Sequence, residues 1–166
     1  VYMVPEDRTA GTIIKEWSLA AISTFPFLAD IAPKAVLNAS AEAAVGQSVI
    51  EDYGVVAQGP DDPIVSLSGG NQQKVVVGRW LRKQPKVMIL NEPFQGVDVG
   101  ARHDLAERAR EVAAAGSAVV VMSTDLGEIM EVADRVVLLA DGNLRYDGYL
   151  TDTSREEILE RLSEVE

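Results

Sequence analysis

The 166-residue chain has no cysteine and a single histidine. Disulfides and thiolate metal sites are therefore excluded, and a reducing compartment is compatible though not required. Basic residues are also scarce: 15 Lys and Arg against 26 Asp and Glu leave a net charge of −11. That balance argues against a nucleic-acid backbone or an anionic lipid surface as the main partner. Long apolar runs are missing too. The most apolar early stretch, Trp17 to Ala29, is shorter than the roughly 20 residues a membrane-spanning helix needs, and Pro26 interrupts it. No signal peptide or low-complexity tract is visible, so the chain is expected to be soluble or to sit on a membrane only through another protein.

What is present is enough for a core: 47% of residues are hydrophobic, and the length suits one domain or a piece of a larger one. Val1-Tyr2-Met3-Val4 reads like an internal buried strand without an initiator methionine, so the chain is read as a stretch of something longer. After Pro5-Glu6-Asp7-Arg8 and Gly11, the composition turns alanine-rich from about Thr12 to Gln58, with breaks at Pro26, Pro33 and Gly46. Two to four helices are expected there. Trp17, Leu19, Ile22, Phe25 and Phe27 form a bulky cluster, read first as core and second as a docking surface.

The texture then changes. Lys74 to Gln84 reads as a helix stopped by Pro85. Lys86 to Leu90 and Ala118 to Met122 read as buried strands, with a helix Ala101 to Ala115 between them. A short helix, Leu126 to Ala133, precedes a third strand, Arg135 to Ala140; Asp141-Gly142 predicts a hairpin into Asn143 to Leu150. Ser154 caps a last helix with Ile158, Leu159 and Leu162 on one face. Alternating strands and helices predict a mainly parallel α/β layer carrying a helical insertion.

Four stretches carry polar chemistry. Leu67-Ser68-Gly69-Gly70-Asn71-Gln72-Gln73-Lys74 puts glycines and neutral polar groups at a helix start, which suits an anion such as phosphate, or else an ordinary loop and cap. Asn91 and Glu92 end a strand, where a carboxylate can orient water for attack on a phosphoryl group or merely cap the next loop. Asp98 in Gly96-Val97-Asp98-Val99-Gly100, and Ser123 or Thr124 after the next strand, read individually as helix caps.

Taken together and in this order, these stretches closely resemble the ATP-binding cassette (ABC) ATPases of membrane transporters. The wording of Leu67 to Lys74 and of Gly96 to Arg102 is similar to the ribose, galactose and xylose importers, in which one polypeptide carries two cassettes; this chain resembles the second. The resemblance implies a partial P-loop NTPase-type α/β fold with an inserted α-helical subdomain. Residues 1–11 would be the Q-loop strand and loop, 12–66 the helical subdomain that docks on the permease, 67–150 the signature, Walker B, D-loop and switch part, and 151–166 a C-terminal helix. It implies ATP and Mg²⁺ as cofactors. The implied partners are an opposing cassette, transmembrane permease subunits and, indirectly, a solute-binding protein, at the cytoplasmic face of the cell membrane.

The resemblance assigns Ser68, Gly69, Gly70 and Gln72 to the signature that meets the γ-phosphate of ATP held by the opposite cassette. Glu92 matches the catalytic carboxylate, Asp98 the D-loop, and Glu6 the Q-loop position normally filled by glutamine. Three departures stand out. No Gly-x-x-x-x-Gly-Lys-Ser/Thr occurs, so these 166 residues alone are expected to bind and hydrolyse ATP negligibly. Asn91 stands where the Walker B strand normally ends in aspartate, which weakens the hold on Mg²⁺ and motivates an alternative, a non-hydrolytic regulatory cassette. Thr124 replaces the switch histidine, and His103 lies in the wrong segment, on a helix surface. A cassette of chromosome maintenance or translation is disfavoured by the acidic balance.

Overall fold

The computed structural model describes residues 1–6, 12–32 and 35–163. The chain divides into two compact units, residues 1–122 and 123–166. Asp7 and Arg8 of the Glu-Asp-Arg stretch, and Pro33, lie outside the described residues.

The first unit is built on a three-stranded parallel sheet in the order β1 (Tyr2–Val4), β2 (Val87–Asn91), β3 (Ala118–Met122). Val4 pairs with Leu90, and Asn91 with Met122, so the carboxyl ends of all three strands come to one edge. Central β2 is buried at Met88 and Leu90 and half-buried at Val87, Ile89 and Asn91. The reading of β3 as a buried strand is corrected. It lies at the sheet's edge, and Val120 and Met122 are exposed although all five of its residues are apolar. In β1, likewise, only Val4 is buried.

Parallel neighbours require crossovers. The one from β2 to β3 runs through α5 (Val99–Ala114), whose Leu105, Ala106 and Ala109 face inward. The long one from β1 to β2 holds α1 (Leu19–Thr24), α2 (Leu28–Ile31), α3 (Ala39–Asp52) and α4 (Gly69–Leu81). Ser18 and Asn38 cap α1 and α3, each side chain accepting an N–H three residues on. Gly46 of α3 lets α1 approach closely, since a methyl group there would stand 2.8 Å from Ala20 Cα and from Pro60 Cβ.

α4 packs against α1, α5 and β1 through Val75, Val76, Val77 and Leu81. It begins five residues before the expected Lys74. Gly69 and Gly70 form its first turn because Ser68 caps it and overrides their weak helix propensity. Five long-range polar ties fasten it. Asn71 Oδ1 accepts from Val56 N, Gln73 Nε2 donates to Pro93 O, Lys74 Nζ donates to Gly54 O, and Arg79 Nη1 donates to the carbonyls of Thr12 and Ile22. Arg79 is 3% exposed and burial pulls its guanidinium down to about 10. Its Nε has no hydrogen-bond partner among the described residues.

The bulky cluster is core only in part. Leu19 and Ile22 are core, and Phe27 stacks edge-on with Tyr2 and Trp80 at 5.4 and 5.3 Å. Trp17 and Phe25 meet edge-on at 5.0 Å beside an apolar groove of about 340 Å³, lined by them with Ala21, Leu28, Leu37 and Glu42.

In the second unit, α6 (Leu126–Val132) precedes β4 (Arg135–Ala140), which pairs antiparallel with β5 (Asn143–Tyr149). Asp141 and Gly142 both have positive φ, +50° and +73°, as the expected tight hairpin turn requires. Arg135 to Ala140, expected as a strand of the parallel layer, pairs among the described residues only within this two-stranded antiparallel hairpin. Arg135 grips Asp147 across it by two hydrogen bonds of 2.7 and 2.6 Å. In α7 (Arg155–Ser163), Glu157 N is bonded to Ser154 Oγ at 3.2 Å. Ile158 is fully buried, whereas Leu159 and Leu162, expected on the same apolar face, are exposed.

Candidate functional site

The edge where the strands end collects three of the residues singled out in the sequence. Asn91 closes β2 and is half-buried; Glu92 follows it; Glu6 lies two residues beyond β1 and is exposed. Open parallel sheets bind ligands at this edge because the connecting loops and helix starts converge there.

Glu92 has the backbone that sequence could not foretell. Its φ is +47°, a left-handed conformation in a residue with a full side chain that also precedes a proline. Such a conformation costs about 1–2 kcal/mol and persists where surroundings impose it. Glu92 N donates to Met122 O of β3 at 2.8 Å, and its own carbonyl accepts from Gln95 N at 3.2 Å. The Glu92 backbone thereby leaves the pleat that Asn91 still follows.

The loop continues through Gly96 (φ +72°) to Asp98, which caps α5 by accepting from Ala101 N at 2.9 Å. That hydrogen bond first, then nearby Lys74, holds the Asp98 carboxyl below the usual range. The same loop touches the glycine turn of α4: a methyl on Gly70 would stand 3.3 Å from Gly96 O. Ser68, at the cap, is exposed, and its Oγ accepts from Asn71 Nδ2 at 2.9 Å. The first turn of this 13-residue helix presents backbone N–H groups and the positive dipole end, with no acidic residue among them.

Two of the glutamines differ from the expected neutral contacts. Gln72 folds back, its Nε2 donating to Leu67 O at 3.0 Å. Gln73 is 1% exposed and reaches Pro93 O. Polar inward-facing residues escape a reading by motif; Gln73's place among Val75, Val76 and Val77 on one helix was the available signal.

Thr124 lies in the second unit and is exposed. The cap of α6 is neither Ser123 nor Thr124 but Asp125, whose Oδ1 accepts from Gly127 N at 2.7 Å. Ser123 instead supports it, taking Asp125 N at 3.1 Å and donating to Glu128 at 2.6 Å. His103 is an exposed residue of α5, 3.8 Å from Glu107. Among the described residues no three His, Cys, Asp or Glu side chains gather into a metal cage. No described helix is long and apolar enough to cross a membrane.

No family model matches the chain. Curated relatives do. The chain is 39% identical over 145 residues to the ribose import ATP-binding protein of Geobacillus kaustophilus, covering 87% of this chain and 29% of that protein. It is 37% identical over 159 residues to the xylose import ATP-binding protein of Pseudomonas syringae, covering 96% and 31%. It is 35% identical over 160 residues to the arabinose import ATP-binding protein of Rhizobium meliloti, covering 96% and 32%. The chain thus spans about three-tenths of the length of these relatives. Among solved structures, the ATP-binding subunit of an ABC transporter superposes with a TM-score of 0.70 at 20% identity, over 98% of this chain and 66% of that one. A dimeric ATP-binding cassette in a post-hydrolysis state with ADP and phosphate gives 0.74 at 17%, over 89% and 62%. The fold is that of ABC ATPase domains, and the chain is homologous along most of its own length to sugar-import ATP-binding proteins.

Proposed function

We propose that this chain is the C-terminal part of the ATP-binding subunit of an ABC transporter, which couples ATP hydrolysis to import of a sugar or sugar-like solute. The observation that carries the reading is Glu92, held in a constrained backbone at the carboxyl end of β2 in a chain whose relatives are sugar-import ATP-binding proteins. There its carboxylate orients water for attack on the γ-phosphoryl group. The half-buried first turn of α4, with exposed Ser68 at its cap and with Gly69, Gly70 and Gln72, meets the phosphate of ATP held chiefly by an opposing cassette. Asp98, on the loop against that turn, lies at the junction between cassettes, and Glu6 and Thr124 take the Q-loop and switch positions.

Mg²⁺ binds through phosphate oxygens and water with one or two protein oxygens, so the absence of a three-residue cage among the described residues does not disqualify the edge. The Asn91 amide oxygen fits as that ligand, more weakly than a carboxylate. When bound, the ion would neutralise charge on the phosphates. The apolar groove beside Trp17 and Phe25 supports docking on a transmembrane permease, and the protein would then sit peripherally at the cytoplasmic face of the membrane. The solute-binding protein is a partner only through that permease.

ATPase assays on the full-length protein test the reading. Glu92→Gln abolishes turnover by this cassette; unchanged turnover would sink the assignment. Asn91 favours a second reading, a regulatory cassette that clamps nucleotide without hydrolysing it. Under that reading Asn91→Asp raises turnover and Glu92→Gln is silent. The 166 residues alone should bind Mg-ATP negligibly by isothermal titration, and micromolar affinity would contradict this.

A further inference from the structure

We infer that Gln73 is a positioning residue for Glu92, linking the signature helix to the hydrolytic carboxylate of the same chain. The inference rests on the role proposed for Glu92. Gln73 stands in the second turn of α4, 1% exposed, and its Nε2 donates to the carbonyl of Pro93 at 2.9 Å. Pro93 is itself buried and, lacking an N–H, has only that carbonyl as a backbone hydrogen-bonding group. The bond therefore fixes the Pro93–Phe94 peptide plane, one residue beyond Glu92.

Glu92 needs such fixing. Its left-handed φ of +47° is not one a glutamate adopts unaided. β3 restrains it from one side through Met122 O, and the following loop restrains it through Gln95 N. Gln73 adds a restraint from a third direction, and it is the restraint that originates on the helix whose first turn meets nucleotide. Its tie lies one turn along α4 from Gly70, which packs on Gly96 of the same loop. A displacement of α4 when its first turn engages phosphate is thus delivered to Pro93 and to the backbone carrying the carboxylate. Two nucleotide sites, one met by the signature and one served by Glu92, become mechanically joined through one buried amide.

The test uses the full-length protein with Gln73→Met, Gln73→Glu and Glu92→Gln in parallel. Gln73→Met keeps the length and removes the donor. It is expected to lower kcat by about tenfold, the rate equivalent of one buried hydrogen bond, with KM for ATP within about twofold and Tm lower only by the few degrees that one lost hydrogen bond costs. In the Glu92→Gln background it should add nothing. Gln73→Glu should acquire a pH dependence that the parent lacks. As a protonated acid it can donate to Pro93 O, and burial raises its pKa, so kcat recovers toward acid pH. If kcat, ATP affinity and Tm fall together in Gln73→Met and acid pH rescues nothing in Gln73→Glu, Gln73 is only packing and the inference is overturned. Unchanged kcat in both variants overturns it equally. Silence of Glu92→Gln would instead sink the underlying reading of Glu92.

Discussion

Gly78 of α4 lies so close to the ring of Tyr53 that a methyl group on it would stand 2.7 Å from Cδ2 and 2.9 Å from Cε2. Glycine inside a helix costs about 1 kcal/mol relative to alanine, so Gly78 persists for the packing it allows. Gly78→Ala should therefore destabilise, by about 1–3 kcal/mol, despite its better propensity. Paired with Tyr53→Leu, the same substitution should become neutral or stabilising. Urea unfolding of the four proteins of this cycle measures the coupling, and additive effects would refute the contact.

A similar approach joins α1 and α3 at Gly46, but there the neighbours are Ala20 Cα and Pro60 Cβ rather than a ring that can turn. Gly46→Ala should cost at least as much as Gly78→Ala, on the order of 2–3 kcal/mol. Replacing Ala20 by glycine should recover only part of it, since the backbone atom stays in place. Equal midpoints for Gly46→Ala and the parent would show that α1 and α3 can separate freely.

Tyr53 is 6% exposed, and burial pushes its hydroxyl up to about 12, with the Arg108 guanidinium pulling the other way. Raised in the fold, this group contributes stability that is whole below the unfolded value near 10 and fades as pH climbs through 12. Buried Arg79 acts with opposite sign in that window, so the comparison is with Tyr53→Phe, which keeps Arg79. The variant should gain on the parent by about 1.4 kcal/mol per pH unit between 10 and 12. Absorbance titration should show a late-ionising component that disappears in Tyr53→Phe. A component lost at ordinary tyrosine pH in that variant would refute it.

At Glu92, alanine and glycine separate backbone from carboxylate. Both remove the acid, yet only glycine is at ease at φ +47°. Glu92→Gly should be more stable than Glu92→Ala by about 1 kcal/mol. Equal denaturation midpoints would mean that Glu92 does not hold a left-handed backbone.

Sequence pattern carried much of this fold. Asp141-Gly142 announced its turn because both residues tolerate positive φ, and Asp98 announced itself as a cap. Pattern failed where tertiary context decided. Five apolar residues in β3 read as buried, but burial follows from neighbours on both sides, and among the described residues β3 pairs only with β2. Gly69-Gly70 read as loop because propensity ignores the cap that Ser68 supplies. At the candidate site, the polar identities of Asn91, Glu92 and Ser68 were legible. The inward turn of Gln73 was signalled only by its valine neighbours on the helix, and the reversed backbone of Glu92 not at all, since both depend on Pro93, Met122 and α4 meeting in space.

The ties that fasten α4 also have an order in time. Asn71 closes a span of 15 residues, Gln73 and Lys74 spans of 20, and Arg79 spans of 57 and 67. Each doubling of a closed span costs about 0.6 kcal/mol of chain entropy. As a hypothesis for the folding route, the glycine end of α4 is anchored first, and Arg79 is drawn out of water only when the chain back to Thr12 has been gathered in. Substitutions that weaken the Asn71 tie should then slow folding, and those at Arg79 should mainly hasten unfolding. Stopped-flow chevrons with those two effects exchanged would reverse the order.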